Sequence, residues 1–169
     1  MKNLTVTPEI LKMKRTIKRS HGLTLVEVIV SMLIMAIVAV GTSGYRYYTT
    51  IDAKRAEKYI AGARIALLLC ESWKGVQGNG TYDPVANFQT DLSIAGSAEG
   101  PPVPVGLTSL NSYKITSDDT SYYATLAWKD VTSGFRELNV AVQWDQRMNG
   151  TGVFSEVDKN YSLTTYVTY

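Results

Sequence analysis

From Leu23 to Gly41 almost every position is apolar, and one carboxylate, Glu27, sits near the start of the run. Roughly 20 apolar residues at ~1.5 Å rise match a hydrocarbon core of ~30 Å, so the pattern predicts a membrane-crossing helix. A carboxylate left unpaired in it costs on the order of 2.5–3.5 kcal/mol at mid-helix, so Glu27 needs a partner. Thr42, Ser43 and Gly44 interrupt the run in a way that bends or loosens a helix without ending it. Apolar residues then return at helical period. Ala53, Ala56, Ile60, Ala63, Leu67 and Cys70 fall on one face of the helix, widened by Tyr59, Ala66 and Trp73. Lys54, Glu57, Lys58 and Arg64 lie opposite. The spacing predicts one continuous rod of ~75–80 Å from Leu23 to Lys74. Gly75 and the Gly78-Asn79-Gly80 cluster stop it.

Residues 81–112 are small, polar or helix-breaking, with Asp83-Pro84, Gly100-Pro101-Pro102, Pro104 and Gly106, and read as a long surface loop. The last third changes to a period of two. Tyr113–Thr116, Tyr122–Val131, Phe135–Trp144 and Tyr161–Tyr169 are rich in β-branched and aromatic residues. In the third, Leu138, Val140, Val142 and Trp144 alternate with Glu137, Asn139, Ala141 and Gln143, which predicts one buried face and one wet face. Ala124, Leu126 and Trp128 give the second strand its inner face. Thr132-Ser133-Gly134 turns it into the third as an antiparallel hairpin. Leu163 and Val167 line the last strand, after a loop holding the turn-prone Asn149-Gly150. The predicted fold class is α+β, with the Ala56, Ile60, Ala63 and Leu67 arc laid across an antiparallel sheet. The predicted organisation is a leader at 1–22, a membrane half of the helix at 23–41, an amphipathic half at 42–74, a connecting region at 75–112 and the sheet at 113–169.

Charge changes how the N-terminus reads. Six of the 17 basic and one of the 15 acidic side chains precede Leu23, so the chain without residues 1–22 carries 11 against 14, and +2 becomes −3. The basic excess is a topology signal that holds the N-terminus in the cytoplasm, and not a nucleic-acid footprint. The single cysteine, Cys70, excludes an internal disulfide, and its place on the apolar arc reads as an inert buried thiol. The single histidine, His21, lies in the leader, so the chain beyond it has neither Ser-His-Asp or Cys-His catalysis nor a His-ligated metal. No enzyme, cofactor or metal is expected. Met13 offers an alternative start that would shorten the leader.

A basic leader ending in Gly22, followed by Leu23-Thr24-Leu25-Val26-Glu27 and an apolar helix, resembles the processing site of type IV prepilins and type II secretion pseudopilins. The resemblance implies that a prepilin peptidase cuts after Gly22 and methylates Leu23, where phenylalanine is commoner in the family. It also implies a type IV pilin-like fold, other pilin or pseudopilin subunits and an inner-membrane assembly platform as partners, and a single-pass inner-membrane protein with a periplasmic C-terminal domain that later joins a filament. Cleavage frees an amine at Leu23 near the depth of Glu27, and in lipid each charge satisfies the other. Pairing between neighbouring helices fixes register, with Thr24 and Leu25 completing the assembly motif. The C-terminal order Val140-Ala141-Val142-Gln143-Trp144-Asp145, a loop and Leu163-Thr164-Thr165-Tyr166-Val167 is similar to V-type minor pilins and I-type minor pseudopilins.

Other candidates carry less. Ala39-Val40-Gly41 reads as a passable signal peptidase site, which leaves a signal-anchored periplasmic binding module as the alternative. Asp118-Asp119, Asp145, Glu156 and Asp158 form no calcium-loop motif and read as turn and solvent residues. Tyr45, Tyr47 and Tyr48 suit an interfacial belt, and Trp73, Trp128 and Trp144 suit a core.

Overall fold

Helix α1 runs unbroken from Leu25 to Gly75. The computed structural model describes residues 24–88, 90, 92–147 and 153–169, which fall into two compact units divided at Gly44. In the first unit the side chains from Leu25 to Val40 are exposed. The hydroxyls of Thr42 and Ser43 donate to the carbonyls of Val38 and Ala39, one turn back, at 2.7 and 2.8 Å. They are absorbed into the helix, as residues of this type are when they bond back along it.

In the second unit α1 packs on a five-stranded antiparallel sheet, so the fold is α+β. Strands follow chain order: β1 (Ser93–Ser97), β2 (Thr108–Ser117), β3 (Thr120–Thr132), β4 (Phe135–Trp144) and β5 (Lys159–Thr168). The predicted inner face of β4 is completely buried, and its hairpin with β3 pairs Ala124 with Val142 and Leu126 with Val140. The predicted Asn149-Gly150 turn lies outside the described residues.

Three expectations are corrected. Residues 81–112 are not a plain loop: they hold a short helix α2 (Pro84–Phe88), all of β1 and the first half of β2. β1 contributes one buried side chain, Ile94, and relies on Tyr113 and Ile115 of β2 for the rest of its core, so its own pattern is nearly silent. Second, the outer face of the sheet is not uniformly wet. Thr125, Ala127 and Asn139 are buried there, and the Gly100-Pro101 segment crosses it so closely that a Cβ at Gly100 would collide with the hydroxyls of Thr125 and Ser112. Third, α1 docks through one edge of the predicted arc rather than its centre. Ala66, Cys70 and Trp73 of that arc are buried together with Gly62, Ile65 and Leu69, whereas Ala56, Ile60 and Leu67 are exposed and Ala63 is half-buried. The buried stripe is turned by roughly 90° from the centre of the predicted arc, at 3.6 residues per turn. The cause is Gly62, above which the Trp144 ring sits so close that an added Cβ would lie 2.8 Å from it. Closest approach of the backbone, not the widest apolar arc, chose the face.

The helix ends at Gly75, as expected, but the left-handed residue that closes it is Gln77 rather than a glycine. The Gly78 amide donates to the Trp73 carbonyl at 3.0 Å and the Gln77 amide to the Lys74 carbonyl at 2.9 Å, the paired bonds of a Schellman motif with Gln77 in the left-handed region at φ 56°. A side chain there is strained. Gln77→Gly is therefore expected to stabilise the sheet unit by about 0.5–1 kcal/mol, read as a raised midpoint in urea with an unchanged slope.

The turn after α1 is tied to the sheet by Arg136. Its Nη1 donates to the Gly78 carbonyl at 2.8 Å, its Nε and Nη2 to Asp130 at 2.6 and 3.2 Å, and its guanidinium lies between the rings of Trp128 and Tyr169 at 3.9 and 4.2 Å. The hydrogen bond from Arg136 holds the Asp130 carboxyl below the ordinary carboxylate value. At Asp145 burial pushes upward, but the side-chain and backbone N–H groups of Arg147 outweigh it and its carboxyl is also lowered. A carboxylate lowered by folding adds stability that is complete above its unfolded pKa and lost as pH falls through the folded one. The sheet unit should therefore melt at falling temperature once pH drops below about 4, and the fall should be shallower in Asp130→Asn.

Candidate functional site

The predicted site lies at the start of α1, where Thr24 precedes the first helical residue, Leu25. The first amides of a helix lack partners within it, and Thr and Glu three residues apart can satisfy two of them reciprocally. Here the Glu27 amide donates to Thr24 Oγ1 at 3.3 Å, and the Thr24 amide donates to Glu27 Oε2 at 2.8 Å. The Thr24 hydroxyl also donates to that oxygen, at 3.1 Å. Glu27 Oε1 accepts no hydrogen bond among the described residues. One carboxylate oxygen is thus occupied by the helix start and the other is open to an amine.

Sequence reasoning treated Glu27 as a charge in need of an outside partner and missed this local role. The signal was present, because Thr-x-x-Glu directly before an apolar run is a capping box. Leu25 and Val26 are 77% and 66% exposed, so nothing in the first unit shields the carboxylate. Gly22 and Leu23 lie outside the described residues.

A helix that starts this way and exposes apolar side chains on every side from Leu25 to Val40 belongs in lipid or against other helices. Residues 17–43 match the prokaryotic N-terminal methylation motif. The methylation motif implies a pilin-like protein that is processed by prepilin peptidase and assembles with other pilin subunits. It covers the residues just before Leu23 and the apolar run and leaves the sheet outside it. No curated protein and no solved structure matches the chain.

The remaining candidates fall elsewhere. Asp118 and Asp119 form the two-residue turn between β2 and β3, as their turn reading expects, at φ 46° and 58°. They stand at the rim of a groove of about 880 Å³, with Lys54, Lys58 and Arg64 of α1 across from them. Asp145 is buried rather than solvated. It holds Arg147 through both carboxylate oxygens at 3.0 Å, and Lys58 Nζ donates to the carbonyls of Asp145 and Arg147 at 3.2 and 2.8 Å. Arg147 also reaches Glu156, so these acids close a loop. Among the described residues no three His, Cys, Asp or Glu side chains converge as metal ligands. Cys70 is buried, which pushes its thiol pKa up and keeps it unreactive. Trp73 and Trp144 are core residues, while Trp128 is half-buried under Arg136.

Proposed function

We propose that this chain is a minor pilin or minor pseudopilin, a non-enzymatic subunit that helps initiate or cap a filament assembled at the bacterial inner membrane. The observation that carries this reading is the methylation motif at residues 17–43, running into a capped helix that keeps one oxygen of Glu27 open. In this reading residues 1–22 are the leader, residues 23–41 span the inner membrane and the sheet unit stands in the periplasm. Gly22 is the cleavage site and Leu23 the methylated residue. Thr24 and Leu25 set the geometry of the helix start, and Glu27 receives the Leu23 amine of a neighbouring subunit.

A minor rather than major role is supported by the lone, buried Cys70, since major pilins commonly close a C-terminal loop with two cysteines. The order β4, loop, β5 resembles V-type minor pilins and I-type minor pseudopilins. The exposed part of α1 up to Ile60 supplies the surface on which neighbouring helices pack. Quantitative mass spectrometry of filaments sheared from cells that express the tagged chain tests this. The chain should be present far below the major subunit and absent when the prepilin peptidase is deleted. Its absence from filaments of peptidase-competent cells would reject the reading.

A further inference from the structure

The chain holds two Asn-Gly pairs, and both continue into threonine: Asn79-Gly80-Thr81 and Asn149-Gly150-Thr151. The first lies where α1 leads into α2, in a turn fixed to the core by its backbone. The Asn79 carbonyl accepts the indole N–H of the buried Trp73 at 2.9 Å and the Tyr82 amide at 3.2 Å. Asn79, Gly80 and Thr81 are themselves exposed, and the Asn79 side chain takes no part in that anchoring.

That side chain is arranged as the electrophile of an acyl transfer. Its Oδ1 accepts the Thr81 backbone N–H and the Thr81 hydroxyl, each at 3.0 Å. An amide N–H can only donate, so the atom facing it is the oxygen. Two donors at this distance from one carbonyl oxygen form an oxyanion hole, which stabilises the charge that develops there when the carbonyl carbon is attacked. A nucleophile stands next in the chain. The Gly80 amide has no acceptor among the described residues, so no hydrogen bond must break before it attacks. Gly80 has no side chain to shield its nitrogen, and the nearest atom to an added Cβ would be Trp128 Cζ2 at 4.0 Å.

We propose that Asn79 is a self-modifying site, whose side chain closes on the Gly80 nitrogen as a succinimide that water then opens to aspartate and isoaspartate. The Gly80 nitrogen bonds to Asn79 Cγ and loses its proton to hydroxide. Negative charge gathers on Oδ1, between the two Thr81 donors. The Cγ–Nδ2 bond then breaks, the nitrogen takes a proton from water, and ammonia leaves. One water adds to either ring carbonyl, and nothing beyond the chain and water enters the balance. Addition at the former backbone carbonyl gives isoaspartate, which routes the chain through the side chain and lengthens it by one methylene. The oxygen that accepts Trp73 Nε1 then belongs to a carboxylate, so the turn is remade at the point that fixes it to the core.

The test follows ammonia loss in the full chain, freshly purified in detergent micelles and held in mildly alkaline buffer. Mass spectrometry of the tryptic peptide spanning residues 75–114 reads it, with electron-transfer fragmentation to place the change and to separate isoaspartate from aspartate. The same chain unfolded in guanidinium chloride is the reference, because there only the local sequence acts. Asn79 is expected to convert at least about tenfold faster in the folded chain, with isoaspartate among the products. Thr81→Val removes one donor at an exposed position. It should leave the melting temperature unchanged and slow conversion in the folded chain about fivefold, the worth of one hydrogen bond. Thr81→Ser keeps the hydroxyl and should keep the fast rate. The proposal is overturned by a folded rate at or below the unfolded one, by aspartate as the only product, or by Thr81→Val converting as fast as the parent chain.

Discussion

Glu27→Val is expected to leave cleavage after Gly22 intact and to lower the amount of the chain recovered in filaments at least about tenfold, the loss that goes with ~1.4 kcal/mol or more of missing interaction. The carboxylate has two jobs that this substitution removes together. It caps the helix through the Thr24 amide at 2.8 Å, and it offers its second oxygen to an amine. Glu27→Gln separates them. Glutamine serves in a capping box as glutamate does, so the helix start survives while the charge is lost. If pairing with the Leu23 amine admits the subunit, Glu27→Gln fails nearly as badly as Glu27→Val, because an ammonium in lipid is not satisfied by a neutral amide alone. Near-normal incorporation of Glu27→Gln would mean that the cap is what matters. Immunoblots of sheared filaments against total processed protein read both variants.

Gly62→Val is expected to destabilise the sheet unit by about 2–3 kcal/mol. A Cβ at this position would lie 2.8, 3.0 and 3.2 Å from three carbons of the Trp144 ring. That ring cannot retreat, since it is fully buried and braced by Tyr59 at 5.7 Å and Tyr122 at 6.0 Å between ring centroids. The helix must lift from the sheet or the indole must leave its place, and either loosens the contact of Ile65, Ala66 and Leu69 with the core. Gly75→Ala is the control. Nothing lies within 4 Å of its Cβ, so the gain in helix propensity should raise stability by up to about 1 kcal/mol. Thermal melts followed by near-ultraviolet circular dichroism of the buried tryptophans measure both. Equal effects of the two exchanges would show that Gly62 is not a docking contact.

What the sequence made legible follows from where each signal is stored. β4 was readable because its large apolar residues Leu138, Val140, Val142 and Trp144 fall at every second position, and α1 because its apolar residues recur over many turns. β1 was not, since Ser93-Ile94-Ala95-Gly96-Ser97 borrows its core from β2. The docking face of α1 was misread because apolar periodicity scores Ile60 and Leu67 above Gly62, while the fold rewards the residue that lets backbone and indole meet. Asp118-Asp119 was readable as a turn from residue type alone, although both positions are left-handed and neither is a glycine. The Arg136 clamp joins positions 58 residues apart in the chain, and no local pattern announces such a contact. At the site itself the motif spacing was visible from the residues, and so was the Thr24 and Glu27 box, although the charge of Glu27 drew attention away from its capping role.

The central claim is that this chain is a prepilin peptidase substrate whose mature life begins at Leu23. The mass and N-terminal sequence of the protein purified from membranes decide it most directly. The account predicts a chain that begins with N-methyl-leucine at Leu23 and contains no residue of 1–22. A chain that begins at Met1 or Met13, or at Thr42 after signal peptidase cleavage, would contradict it.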